Sequence, residues 1–143
     1  MKKIKLVLTV LISTLTFFSN TNVSFAKDTK KETEAKDIKI ENKDVDQIKA
    51  IFDKKDKNTV FIDVREPFEW QEGTMPNILK ISLGSLPKEI EKLDKTKNYV
   101  LVCRSGNRSM KAAKLLKNAG FKNLTNFQGG MLSWTKKNYP LAK

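Results

Sequence analysis

Two stretches of this chain are short, β-branched and almost wholly apolar: 60–64, reading Val, Phe, Ile, Asp, Val, and 99–103, reading Tyr, Val, Leu, Val, Cys. Runs of this kind predict strands buried on both faces of a sheet. Over 108–119 the period changes. Met110, Ala113 and Leu116 recur at helical spacing, joined by Ala112, Leu115 and Ala119, and Gly120 is placed to end the helix they predict.

Shorter patterns fill the intervals. Ile38 and Ile40 predict a first strand, and Asp44 is placed to cap a helix with Val45, Ile48, Ile51 and Phe52 on one face. One helical turn fits 67–71, and 78–83 alternates loosely as a strand. Pro87 suits the first position of a helix that turns Ile90 and Leu93 inward. Residues 124–127 predict a last strand, after which Gly129 and Gly130 make a tight turn into a helix carrying Met131, Leu132 and Trp134. Trp134 reads as core, whereas Trp70 can line a pocket mouth or pack on the sheet. Strands alternating with helices predict an α/β fold, a parallel sheet covered by helices on both faces.

That alternation occupies 37–143, a length that suits one domain. The beginning of the chain reads differently. Lys2, Lys3 and Lys5 precede an apolar run over 6–18, and Ser24 and Ala26 place small residues where a signal peptidase reads them. The expectation is a signal peptide over 1–26, cleaved after Ala26, and export to a periplasm or the cell exterior. An uncleaved anchor is the alternative, although the run is shorter than the ~20 residues of a usual membrane-spanning helix. Residues 27–36 are charged, lack an apolar period and read as a flexible leader. No membrane contact is expected after cleavage.

The composition narrows the chemistry. The 143 residues contain no histidine and one cysteine. A Ser-His-Asp triad, a Cys-His pair, a His-ligated metal, a thiolate zinc site and an internal disulfide are thereby excluded. No metal and no cofactor are expected. The net charge is +12, or +9 without Lys2, Lys3 and Lys5, an excess that attracts anions or simply solvates the surface. Nucleic acid is not an expected partner, because export removes the protein from it and no basic stretch is interleaved with aromatics.

Chemistry therefore converges on Cys103. It ends a predicted buried strand, and Arg104, Ser105, Gly106 and Asn107 lead straight into a helix beginning near Arg108 and Ser109. Ligands of parallel α/β sheets bind at the carboxyl ends of strands. The first amides of a helix lack intrahelical partners and carry partial positive charge. A short loop with Gly106 can curl several N–H groups onto one point beside the sulfur. Such a setting favours the thiolate and holds an anionic group bonded to it, with Arg104 and Arg108 adding fixed charge. Ser109 can donate a hydroxyl or cap the helix. The competing reading makes Cys103 a small buried hydrophobe. The strand-loop-helix setting, the arginines and the glycine favour the nucleophile.

The run from Cys103 to Ser109 resembles the active-site loop of rhodanese-domain sulfurtransferases. Asp63, Val64, Arg65 and Glu66, followed by Phe68, Glu69 and Trp70, resemble an earlier motif of that family, and 129–134 resembles its closing motif. The likeness spans about 37–134. It implies a single-domain, five-stranded parallel sheet flanked by helices, and covalent catalysis in two displacements. The Cys103 thiolate would take the outer sulfur of a donor such as thiosulfate, and the persulfide, cradled by the loop amides, would pass it to cyanide or a thiol, including a protein thiol. Asp63 would anchor the loop by hydrogen bonding or by pairing with Arg104, or else cap the next turn. Arg65 would reach the anionic donor or pair at the surface with Glu66 or Glu69.

The resemblance also frames the alternatives. Related phosphatases and arsenate reductases place five residues between cysteine and arginine, whereas four separate Cys103 from Arg108, a ring better sized for sulfur. A non-catalytic binding module and a sulfur-relay or thiol-redox protein stay open. One stretch departs from the family: Thr74 stands where members often carry histidine, and the Gly-Ala pair that follows there is absent.

Overall fold

The computed structural model describes residues 38–143, so the signal-peptide and leader readings lie outside the described residues. Five strands form one wholly parallel sheet: β1 (Ile40–Lys43), β2 (Thr59–Asp63), β3 (Leu79–Lys80), β4 (Asn98–Val102) and β5 (Asn123–Phe127), in spatial order β1-β5-β4-β2-β3. Between and after them run α1 (Val45–Asp53), α2 (Pro67–Gln71), α3 (Leu86–Glu89), α4 (Asn107–Asn118) and α5 (Gly130–Lys136).

The sheet buries both faces, as its apolar runs require. On one, Ile62, Tyr99 and Leu101 pack with Ala112, Ala113 and Leu116 of α4. On the other, Val100, Val102 and Phe127 pack with Ile48 of α1 and Met131 and Trp134 of α5. Trp134 is the hub of the second face, its ring set edge-on to Phe52, Phe127 and Tyr139, and its indole N–H donates to the Pro140 carbonyl at 2.8 Å. Trp70 lies in a separate hollow with Leu79, Ile81 and Leu93.

Local chemistry sets the element ends. The Asp44 carboxylate accepts from the amides of Asp46 and Gln47, and the Gln47 side chain accepts from the Asp44 amide, a reciprocal cap on α1. Helix α4 closes as the sequence suggests. Gly120, at φ +89°, donates to the Lys117 carbonyl while Phe121 donates to that of Leu116, the paired bonds of a left-handed C-terminal cap.

Three expectations shift. The strand expected over 78–83 is regular for two residues only, after which Ile81 and Leu83 still donate to the carbonyls of Asp63 and Val64 as the chain leaves the edge. Pro87 is the second residue of α3, and a tighter turn over Ile90–Lys92 replaces its continuation. Helix α4 opens at Asn107, one residue early.

Strand order positions the site. From β2 the chain moves outward to β3, whereas from β4 it moves the other way to β5. Their carboxyl ends therefore flank the point where winding reverses, the position at which open α/β sheets bind ligands. Asp63 ends β2, and Cys103 directly follows β4.

Candidate active site

Cys103 is 1% exposed and lies at the base of the loop that joins β4 to α4. Its Sγ accepts the Gly106 amide at 3.1 Å and lies 3.3 Å from the Ser109 hydroxyl. Burial pushes the thiol pKa up, but the Ser109 hydroxyl and the amides of Ser109, Gly106 and Ser105 outweigh it, and the pKa is lowered. Of the loop amides, that of Gly106 donates to the sulfur directly. Gly106 makes the curl at φ +105°, where a Cβ would press on the Phe127 carbonyl and the Gly129 amide. Arg104, Ser105 and Asn107 are exposed.

The loop is held from outside by the start of α5. Gly129 donates to the Ser105 carbonyl at 3.2 Å, Met131 to that of Cys103 at 2.8 Å and Leu132 to that of Arg104 at 3.0 Å. Holding three consecutive carbonyls on one side leaves the intervening peptide N–H groups to face the other. Gly129 and Gly130 therefore do more than turn the chain. A Cβ on Gly130 would run into the backbone of Cys103 and Arg104.

Ser109 does not cap α4. It is fully buried, and its hydroxyl lies between Sγ and the Asn126 Oδ1, to which it donates at 2.6 Å. Asn126 in turn donates to Asn42 Oδ1 at 2.9 Å. Arg108 is not a free cation over the sulfur. Its two terminal nitrogens donate to Glu69 at 2.5 and 2.7 Å. That bond lowers the Glu69 pKa to about 2 against the opposing effect of burial, and the Glu66 amide adds to the lowering.

Asp63 corrects an expectation. It is buried and does not pair with Arg104. Arg65 grips it with Nε and a terminal nitrogen at 2.8–3.0 Å and adds its own backbone amide. The Thr74 hydroxyl completes the set at 2.8 Å. Arg65 is correspondingly buried and pairs with neither Glu66 nor Glu69, while its guanidinium also donates to the Gly73 carbonyl. Thr74 is tied by its backbone to Ala142, so the C-terminal tail closes one side of the site.

Above the loop opens a cleft of about 600 Å³ lined by Arg65, Arg104, Arg108, Glu66, Glu69 and Glu72, with an apolar rim of Phe68, Leu132 and Leu141. Those three rim residues are 66, 54 and 45% exposed. Three arginines and three glutamates leave the lining formally neutral on a strongly basic chain. Among the described residues, no cluster of histidine, cysteine and carboxylates is built to hold a metal ion.

Sequence reasoning missed Glu69, Asn126 and the tail as parts of this site. Asn126 left a trace: it lies two residues beyond Leu124, on the face turned toward α4, where an apolar side chain is the usual occupant.

A nucleophile-bearing loop at the winding reversal of a five-stranded parallel sheet defines a class, and comparison with known proteins places the chain in it. The chain belongs to the rhodanese family: the model of the rhodanese-like domain matches residues 44–137. A Bacillus subtilis relative that carries a provisional sulfurtransferase name, YtwF, is 45% identical over 85 residues, covering 59% of this chain and 82% of its own. A Schizosaccharomyces pombe relative, provisionally named a mitochondrial thiosulfate sulfurtransferase, is 36% identical over 95 residues, covering 57% and 67%. The crystal structure of a rhodanese-related protein from Thermoplasma volcanium superposes with a TM-score of 0.63 at 28% identity, over 71% of this chain and 97% of its own. Family and relatives together support sulfur transfer as the general activity.

Proposed function

We propose that the protein moves a sulfane sulfur from a small anionic donor of the thiosulfate type to an acceptor thiol, through a persulfide on Cys103. The observation that carries this reading is the buried Sγ at the end of β4, which accepts the Gly106 amide and lies 3.3 Å from the Ser109 hydroxyl, in a loop held in place by α5. In the first displacement the Cys103 thiolate attacks the outer sulfur of thiosulfate. An S–S bond forms to Cys103, the donor's S–S bond breaks, and sulfite leaves with the electron pair. The amides that held the thiolate then hold the outer sulfur's negative charge. In the second displacement an acceptor thiolate or cyanide attacks that outer sulfur and expels Cys103 as thiolate.

The cleft supports a thiol rather than cyanide as the natural acceptor. Its apolar rim suits a thiol carried on a larger molecule. Arg104, exposed and lining the cleft, is the cation that meets the donor. Arg65 acts instead through Asp63 and Gly73, as a strut of the wall. We also propose that the 1–26 segment directs export, so that this transfer takes place outside the cytoplasm.

The test is thiocyanate release from thiosulfate and cyanide. The expected result is turnover in the parent and a fall to the uncatalysed background in Cys103→Ser. Turnover that survives in Cys103→Ser would contradict the proposal, as would hydrolysis of an aryl phosphate that depends on Cys103. A parent that forms no product with any donor would leave the binding-module reading in its place.

A further inference from the structure

A hydrogen-bonded chain leads from the buried sulfur to the protein surface. Cys103 Sγ meets Ser109 Oγ at 3.3 Å, Ser109 Oγ meets Asn126 Oδ1 at 2.6 Å, and Asn126 Nδ2 meets Asn42 Oδ1 at 2.9 Å. The geometry is fixed by the fold. Asn42 and Asn126 are direct partners in the β1–β5 ladder, Ser109 projects from the first turn of α4, and Asn42 is exposed.

Ser109 has one proton to give. While it goes to Asn126 Oδ1, the Ser109 oxygen can meet the sulfur only as an acceptor, so a hydrogen bond between the two needs the proton on Cys103. In this sense the chain holds the thiol. To hold the thiolate, the hydroxyl must turn to Sγ. The 2.6 Å contact to Asn126 then needs its donor from the other side. An asparagine can supply it, because its amide presents an NH₂ and an oxygen of nearly the same shape. Turned over, Asn126 donates to Ser109 and accepts from Asn42, whose own amide turns with it. A carboxylate or an alkyl group at position 126 cannot serve both senses.

We propose that Asn126 is a positioning residue that sets the direction of the Ser109 proton. By turning its amide together with Asn42, it stabilises Cys103 as a thiol in one orientation and as a thiolate in the other. This rests on Cys103 being the attacking sulfur, but the test reads ionisation and not turnover, so the two claims can fail separately. The charged groups around the sulfur are Arg104 from the loop, Arg108 from α4 with Glu69 from α2, and the Asp63–Arg65 pair at the end of β2. The first turn of α5 brings none. Beside Asn42, Glu41 and Lys43 pair with each other. None of these is changed by the variants below.

The experiment is the pH dependence of iodoacetamide alkylation of Cys103 in the full chain, without sulfur donor, at about 0.5 M salt to screen added surface charge. Asn126→Asp accepts only, so the Ser109 proton stays turned away from sulfur. The expected midpoint lies at least one pH unit above the parent's, or about tenfold slower alkylation at neutral pH. Asn42→Asp, at an exposed site that does not threaten folding, fixes Asn126 in the same sense and raises the midpoint by a smaller amount. Both variants are repeated in a Ser109→Ala background, where through-space charge persists but the chain is cut. The proposal predicts that the Asn42→Asp shift disappears there and that most of the Asn126→Asp shift does. Equal shifts with and without Ser109 would overturn it, leaving plain charge repulsion. An unmoved midpoint in Asn42→Asp would overturn it even if Asn126→Asp did not fold.

Discussion

Gly130 stands where the backbone of Cys103 and Arg104 leaves no room for a Cβ, and its φ of +53° is left-handed. Gly130→Ala must therefore push the nucleophile's loop off the α5 amides or displace α5 itself. We expect a loss of about 3 kcal/mol or more, a fall in Tm beyond ~10 °C, and a Cys103 alkylation midpoint moved up as the N–H ring loosens. Thermal unfolding with unchanged Tm would show that the loop does not depend on that close approach. At this scale the sequence was most readable where partners are near in the chain. Cys103, Gly106 and Ser109 span one loop and one helical turn, so their convergence follows from local geometry. Of the alternatives for Asp63, the cap of the next turn fits its bond from the Arg65 amide, whereas the side-chain grip of Arg65 and Thr74 comes through rotamers and an intervening loop that no periodicity describes.

Helix α2 is only Pro67–Gln71, yet it delivers Glu69 to Arg108 across 39 positions of sequence. The pair ties α2 to α4 beside the cleft, and its carboxylate is largely buried. Glu69→Gln is expected to cost about 1–2 kcal/mol near neutral pH, after allowing for solvent at Arg108. The pH dependence has a definite sign. The Glu69 pKa is depressed in the folded state, so its contribution is complete above the unfolded carboxyl value of about 4.5 and is lost as pH falls through about 2. Parent and variant should differ in denaturant midpoint at neutral pH and converge between pH 4.5 and 2. A gap that stays constant to pH 2 would show that the ion pair does not carry the difference. Helix α5 illustrates what an element-level reading reaches. Trp134 was legible as core, but its helix's grip on the Cys103 loop was not, because backbone N–H groups leave no mark in a sequence.

Over the whole molecule, the alternation of buried strands and amphipathic helices was enough to give a parallel sheet covered on both faces. The order of its strands was not, since β1 pairs with β5 across some 84 positions and nothing local encodes that contact. The apolar pattern and the resemblance both give five strands, and the fold agrees. The chain's surplus of +12 likewise says nothing of the cleft, where arginines and glutamates balance. Fold, cleft and the buried, amide-bonded sulfur combine in one claim, that Cys103 carries a transferable sulfur. Intact mass of the reduced, desalted protein before and after thiosulfate, beside Cys103→Ser, tests it most directly. The parent alone is expected to gain one sulfur atom, removed by an added thiol or cyanide. A folded parent whose mass does not change with thiosulfate or with any other sulfane donor would contradict it.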